Sequence, residues 1–275
     1  MIAMDEYIKK NQQMWDHLAP IHRGTSLYKV DDFLEGALTL DPLEIEEVGD
    51  VKGKSLLHLQ CHFGLDTMSW ARLGAEATGV DFSGESIDLA QTLNEQVDDK
   101  AKFLESNVYD LPDKLDEQFD IVFTSGGVLC WLPDLKKWAN IVASFVKPGG
   151  FFYIREFHPV AYIFNDAEDS DNLKVHYPYF HKDEPVEFEQ SGTYADPAVR
   201  FPIAMKTYEW THSLSDIINS VIDAGLQVEF FNEFPFTTYQ ALPFMEEDEE
   251  NNRWVLPDFA ESVPLMFSLK ASKPS

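Results

Sequence analysis

The chain has 275 residues, 44% of them hydrophobic and 13% aromatic, enough apolar material for one large packed domain or one domain with an inserted cap, and too much for a disordered chain. Asp and Glu number 48 against 21 Lys and Arg, a formal net charge of −27; such a surface repels phosphate backbones and anionic lipid and speaks against nucleic acid and membranes as partners. Two cysteines, Cys61 and Cys130, sit in apolar runs and read as buried free thiols, since a disulfide framework or a zinc site needs more.

The opening segment carries acids and is not a signal peptide, and no run reaches the roughly 18 apolar residues of a membrane span; the expected compartment is the cytoplasm. From about residue 4 to 18, Tyr7, Asn11 and Trp15 recur on one helical face. APIHRGTSLYKVDDFLEG reads as loop with short turns.

Strand and helix then alternate. SLLHLQ (55–60) is a strand ending in a turn. Asp66 to Leu73 is a helix with Asp66 as candidate N-cap and Gly74 as its stop. EATGVD (76–81) is a strand, and Ser83 opens the next helix. AKFLES (101–106) and FDIVFTS (119–125) are strands, the latter apolar on both faces. A helix starts near Pro133 and runs to about Val146, KPGG (147–150) ends it, and FFYIREF (151–157) is another strand. Such spacing implies right-handed βαβ units and a parallel sheet covered on both faces.

After His158 the pattern changes. Residues 160–210 are rich in Tyr, Phe, Pro, His and acids and read as a partly antiparallel cap. Leu214 to Ala224 is helical, LQVEFFNEF (226–234) a strand, EEDEENN (246–252) a solvated loop and PLMFSLKAS (264–272) a last strand. The reading is an α/β fold with a Rossmann-like, seven-stranded, mostly parallel sheet, helices on both faces and a terminal antiparallel hairpin. Its parts are an N-terminal lid at 1–30, a core at 31–158 and 211–275, and a cap at 159–210.

The chemistry is densest in LLHLQCHFGLDTMSWARLGAEATGVDFS (56–83): strand, tight turn, helix, second strand and acid. In nucleotide-binding sheets the turn brings backbone close to the ligand, and an acid about 20 residues on accepts hydrogen bonds from ribose hydroxyls. Asp81 stands at that place.

Here the chain resembles the class I S-adenosylmethionine-dependent methyltransferases, specifically an uncharacterised branch with LHLQCHFG as its first motif. The resemblance spans about 50–157 and, more loosely, 210–272. The family usually has an acid and then three glycines at alternate positions; here those places hold His58, Gln60, His62 and Gly64. By resemblance Gln60 and His62 flank the methionine part of the cofactor, Asp81 takes the ribose and Phe82 lies against adenine. In ESNVYDLP (105–112), the Asn107 side-chain amide and the Val108 N–H serve adenine ring nitrogens. In FDIVFTSGGVLCWLPDL (119–135), Ser125 and Gly126 follow the central strand, where a backbone carbonyl accepts from the cofactor's ammonium.

Trp15, His22 and Tyr28 fall in the segment that often folds over the cofactor in this family; the other reading is a helix that buries Trp15 for stability. His158 follows the fifth strand, at the sheet edge where ligands bind, or is a loop histidine held locally. His212 and Trp210 stand where the cap rejoins the core. His176, Tyr177, Tyr179 and Phe180 line a pocket or only pack the cap. His158 and His212 are the candidate bases, with Tyr28 a further polar group of the pocket.

The resemblance implies an enzyme that binds S-adenosylmethionine and methylates a small molecule, without a metal. Two other classes compete. A nicotinamide-dependent oxidoreductase is disfavoured because GxGxxG is absent; a non-catalytic S-adenosylmethionine-binding protein stays open because the first motif is altered. The acceptor atom and the oligomeric state, a homodimer being one option, are left open.

Overall fold

The computed structural model describes residues 4–98, 100–167, 169–259 and 262–275. Residues 1–3 of the expected lid lie outside them. Helix α1, Met4–His22, runs a turn beyond the expected end and buries Asn11, Met14, Leu18, Ala19 and His22. Helix α2, Val30–Leu34, lies within the expected loop. Helix α3, Pro42–Val48, was not anticipated, although Asp41-Pro42-Leu43-Glu44 is a capping box with proline in the first turn.

The alternation follows: β1 Ser55–Leu59, α4 Leu65–Arg72, β2 Glu76–Asp81, α5 Gly84–Asn94, β3 Lys102–Glu105, β4 Phe119–Ser125, α6 Leu135–Phe145, β5 Val146–Phe157. Two boundaries differ from expectation. Gly64, not Asp66, is the N-cap of α4; Asp66 lies in the first turn, where its Oδ1 accepts from Thr39 Oγ1 at 2.5 Å. KPGG does not end the helix but belongs to β5, which meets β4 through a register shift between Phe119 and Ile121. After β5 come β6 Val186–Thr193 and β7 Asp196–Glu209, an antiparallel hairpin, then α7 Leu214–Asp223 and β8 Gln227–Phe234. The segment read as one long loop holds β9 Phe236–Thr237, β10 Glu246–Asp248 and β11 Arg253–Val255, a small antiparallel sheet. Part of the acidic run is therefore strand: Glu247 pairs with Trp254. Strand β12, Met266–Ser272, closes the chain.

The main sheet has seven strands in the order β3-β2-β1-β4-β5-β12-β8. Neighbours from β3 to β5 are parallel, and β12 is antiparallel to both β5 and β8. Alternate residues enter two cores. Leu57, Val122 and Ile154 pack with Trp138 and Val142 of α6, whereas Leu56, Ile121, Phe123 and Tyr153 pack with Trp70 of α4. With both faces buried, the C-terminal strand ends are where the parallel strands open onto a crevice.

Helix α1 and the β6–β7 hairpin meet above that edge. Asn11 Nδ2 donates to Tyr208 O at 2.7 Å and Asn11 Oδ1 accepts from Tyr208 N at 2.9 Å. Met14, Leu18 and Phe201 form a shared apolar cluster.

Candidate active site

The turn after β1 is built against the preference of its residues. Gln60, His62 and Gly64 have φ of 57°, 51° and 77°, so left-handed backbone falls at three alternate positions. Only Gly64 is a glycine, and there any Cβ would lie 2.3 Å from the Phe103 ring. A non-glycine residue in this region costs about 1–3 kcal/mol. Hydrogen bonds offset it: the His62 N–H donates to Asp81 Oδ2 at 2.8 Å, the Phe63 N–H to His62 Nδ1 at 2.8 Å, and Gln60 Nε2 to Val128 O at 3.1 Å. Gln60 Oε1 is buried without a partner among the described residues. His58, at the place of the family's acid, lies inside β1, bonded to Thr67 Oγ1 at 2.9 Å.

Asp81 ends β2 and is 7% exposed. Its second oxygen accepts from the Ser83 N–H at 2.9 Å. Burial raises its pKa to about 6, although bonds from backbone N–H groups work the other way. Helix α1 straddles the following loop: Gln12 Nε2 donates to Phe82 O at 2.6 Å and Ser83 Oγ to Asp16 Oδ1 at 2.7 Å. Phe82, Asn107 and Gln12 line a cleft of about 1170 Å³ that extends to the start of α7. Asn107 Oδ1 caps the 3-10 turn through Tyr109 N at 2.9 Å, while its Nδ2 has no acceptor among the described residues. Val108 begins that turn, a position whose N–H has no partner within the turn.

Ser125 ends β4, and the loop beyond it is held by a residue that sequence reasoning missed. Glu156 accepts four backbone N–H bonds, from Gly127 at 2.7 Å, Val128 at 2.7 Å, Leu129 at 3.0 Å and Phe157 at 2.6 Å. The signal was there: an acid, beside Arg155, in the largely apolar strand FFYIREF.

Trp15 stands edge-on to His62 and to Trp131, with ring centroids 5.2 and 5.4 Å away. A chain of neutral imidazoles runs beside it. The Phe63 N–H requires His62 Nδ1 to be the acceptor, so His62 Nε2–H donates to His22 Nδ1 at 2.9 Å and His22 Nε2–H donates to Thr193 Oγ1 at 2.7 Å. Burial lowers the pKa of His22 to about 4 and pushes that of His62 down as well. Tyr28 stacks on His22 at 4.9 Å, and its hydroxyl bonds that of Tyr194.

The two candidate bases lie elsewhere. His158 accepts from Val160 N at Nδ1 (3.1 Å), its Nε2 stands 3.0 Å from Glu233 Oε1 without a well-aligned hydrogen bond, and it lines neither cavity. His212 does reach the cavities, but its Nε2 bonds Leu132 O at 2.7 Å, its ring stacks on His181, and burial lowers its pKa to about 4. Under the hairpin is a second, narrower cavity of about 50 Å³, lined by Cys130, Glu156, Tyr162, Tyr177, Glu209 and His212 among others. Its polar walls are thus Glu209 and Tyr162 rather than the expected His158 and Tyr28, because the hairpin, not the N-terminal segment, roofs it. Phe180 lies outside it, 73% exposed. Among the described residues no group of His, Cys, Asp and Glu is gathered as a metal site would require, and no helix is long and apolar enough to cross a membrane.

Residues 57–152 match the family model described as a methyltransferase domain. The ubiquinone biosynthesis O-methyltransferase of Alkalilimnicola ehrlichii is 30% identical over 131 residues, 46% of this chain and 53% of that protein. The protein of the same name from Proteus mirabilis is 26% identical over 157 residues, 51% of this chain and 64% of that one. The chain thus spans between about half and two thirds of the length of the curated relatives it matches. A putative S-adenosylmethionine-dependent methyltransferase from Listeria monocytogenes superposes with a TM-score of 0.59 at 17% identity, covering 85% of this chain and 96% of that one. The glycopeptide N-methyltransferase MtfA, in complex with (S)-adenosyl-L-methionine, gives 0.52 at 15% identity, covering 91% and 95%. Identities this low speak for the fold alone, and that fold agrees with the strand order and with the methyltransferase-domain model matched over residues 57–152.

Proposed function

We propose that this protein is an enzyme that transfers the methyl group of S-adenosylmethionine to a small-molecule acceptor. The observation that carries the reading is the left-handed turn at Gln60–Gly64 bonded to the carboxylate of Asp81, beside a cleft that Phe82 and Asn107 line. Each residue has a capacity left over for the cofactor. Asp81 retains acceptor lone pairs for the ribose diol. Phe82 offers a face to adenine, and the Asn107 amide and Val108 N–H offer donors to its edge. Gln60 Oε1, buried and unpartnered, and the carbonyl of Ser125 offer acceptors to the methionine ammonium, next to His62 and Trp15. Gly64 leaves room for the Phe103 ring against the turn.

The sulfonium supplies an activated methyl group with its own leaving group. The protein has to align the acceptor with it and exclude water. The described part of the lid, residues 4–30, and the cap, 159–210, form that cover, and the cavity beneath the hairpin receives the acceptor. His212 stays the better placed of the two candidate bases, since it borders both cavities, whereas His158 is held in a local network.

Calorimetry with S-adenosylmethionine and with NADH tests the cofactor: binding of the first alone supports the reading, and binding of NADH alone overturns it. A non-catalytic binder is favoured by one observation, the Gln60 and His62 side chains at two of the glycine positions. Release of labelled methyl into any member of a metabolite pool decides against that alternative.

A further inference from the structure

The cavity under the hairpin holds two carboxylates in different circumstances. Glu156 is fully provided for by its four backbone N–H donors. Glu209, the last residue of β7, has none: among the described residues no Lys, Arg or backbone N–H bonds its carboxylate, and its neighbour Cys130 turns its thiol towards Gly127 O at 3.6 Å. Facing it are Cys130 and Glu156 from the core, Asp166, Tyr162 and Tyr177 from the cap, and Tyr239 from the segment after β9; none is a cation. A half-buried carboxylate that lines a cavity without a counter-charge is costly. The remaining walls are aromatic and aliphatic, with Tyr162 edge-on to Phe157, Tyr177 against Phe188, and Leu129, Val186 and Ile217 between them. Aromatic faces attract a desolvated cation. At about 50 Å³ the space holds a small head group, and His212 borders both it and the large cleft, so the rest of a ligand can extend there.

The geometry points to an amine-bearing acceptor anchored in this cavity by its ammonium group, with Glu209 as the counter-ion. The formal charge of −27 enriches such cations near the protein. In the empty pocket burial raises the Glu209 pKa to about 7, helped by the charge of Asp166 and opposed by the Cys130 thiol. A bound ammonium favours the carboxylate form, so binding near neutral pH releases a proton from Glu209.

The inference rests on the methyl-transfer reading for the word acceptor, but the binding site can be tested alone. The full chain, without cofactor, is titrated with methylammonium, n-propylammonium and benzylammonium and with the matching alcohols. The ammonium ions are expected to bind at least tenfold more tightly than the alcohols, with proton release detected by calorimetry in buffers of different ionisation enthalpy. Glu209→Gln, which keeps the shape, is expected to abolish both the preference and the release. Equal binding of ammonium and alcohol by the native chain, absence of ammonium binding, or a preference that survives in folded Glu209→Gln overturns the inference. A protein that shows the preference but fails to bind S-adenosylmethionine loses the methyl-transfer reading and keeps the cation site. One that transfers labelled methyl without the preference loses only the cation site.

Discussion

Protonation of His22 should unlock the histidine relay and couple stability to pH. Because the Phe63 N–H occupies His62 Nδ1, the proton on His62 is at Nε2 and points at His22 Nδ1, 2.9 Å away. A second proton on His22 would set two donors against each other inside a site where His22 is 0% exposed. Its pKa accordingly falls from 6.5 to about 4. The folded state therefore resists a proton that the unfolded chain accepts below pH 6.5. The contribution of His22 is complete above that pH, is lost as pH falls towards 4, and is constant below. At 1.36 kcal/mol per pH unit the loss is about 2 kcal/mol at pH 5 and about 3 kcal/mol over the whole window.

Asp81 and Glu209, whose pKa values are raised, act in the opposite sense, so the native curve alone does not isolate His22. The comparison is with His22→Gln, which cannot titrate. Urea denaturation from pH 7.5 to 5 should show the native chain more stable by about 1–2 kcal/mol at pH 7.5, a hydrogen bond's worth or slightly more. That advantage should shrink by roughly 1.4 kcal/mol per unit below pH 6.5. A difference between the two proteins that does not change with pH would refute the relay.

Asp81→Asn should weaken S-adenosylmethionine binding by about 1–3 kcal/mol in calorimetry, the range for a charge-assisted hydrogen bond to a ribose hydroxyl; unchanged affinity in a folded variant contradicts the ribose assignment. Asn11→Ala removes both buried bonds to Tyr208 and should cost about 2–4 kcal/mol of unfolding free energy, leaving a buried backbone N–H and C=O unpaired; a loss under 0.5 kcal/mol would mean that α1 is not held to the hairpin this way. Methyl transfer should be indifferent to a chelator, and activity abolished by EDTA and restored by magnesium would contradict the metal-free mechanism.

The strands and helices of the βαβ core were legible in the sequence because their signal is local. A strand covered by helices on both faces has to be apolar on both, and FDIVFTS and FFYIREF show this within seven residues each. The acid at the end of β2 was legible for a similar reason, since one βαβ unit sets the distance from the turn to Asp81. The order of the last two strands of the sheet is another matter: β12 inserts between β5 and β8, and no local pattern encodes which edge a strand takes.

The conformation of the first turn depended on tertiary structure. Gln60 and His62 have no intrinsic preference for left-handed backbone. They adopt it because the Asp81 carboxylate and the Val128 carbonyl, far away in sequence, receive their donors. The small sheet of β9, β10 and β11 escaped notice because its strands are two or three residues long, too short for periodicity, and their stability comes from packing around Leu242, Met245 and Leu256.

Local pattern therefore determined the scaffold and the side of it that holds the cofactor. It could not determine the walls of the cavity under the hairpin. Glu156 and Glu209 are two acids among 48 in the sequence. One is satisfied by three N–H groups of a loop about 28 residues before it and by that of the next residue, the other is left without a counter-charge under a hairpin. That difference arises from burial and from partners brought together by folding: the apolar residues flanking Glu156 mark it as an acid inside a strand, but nothing near either acid in the chain names its partners.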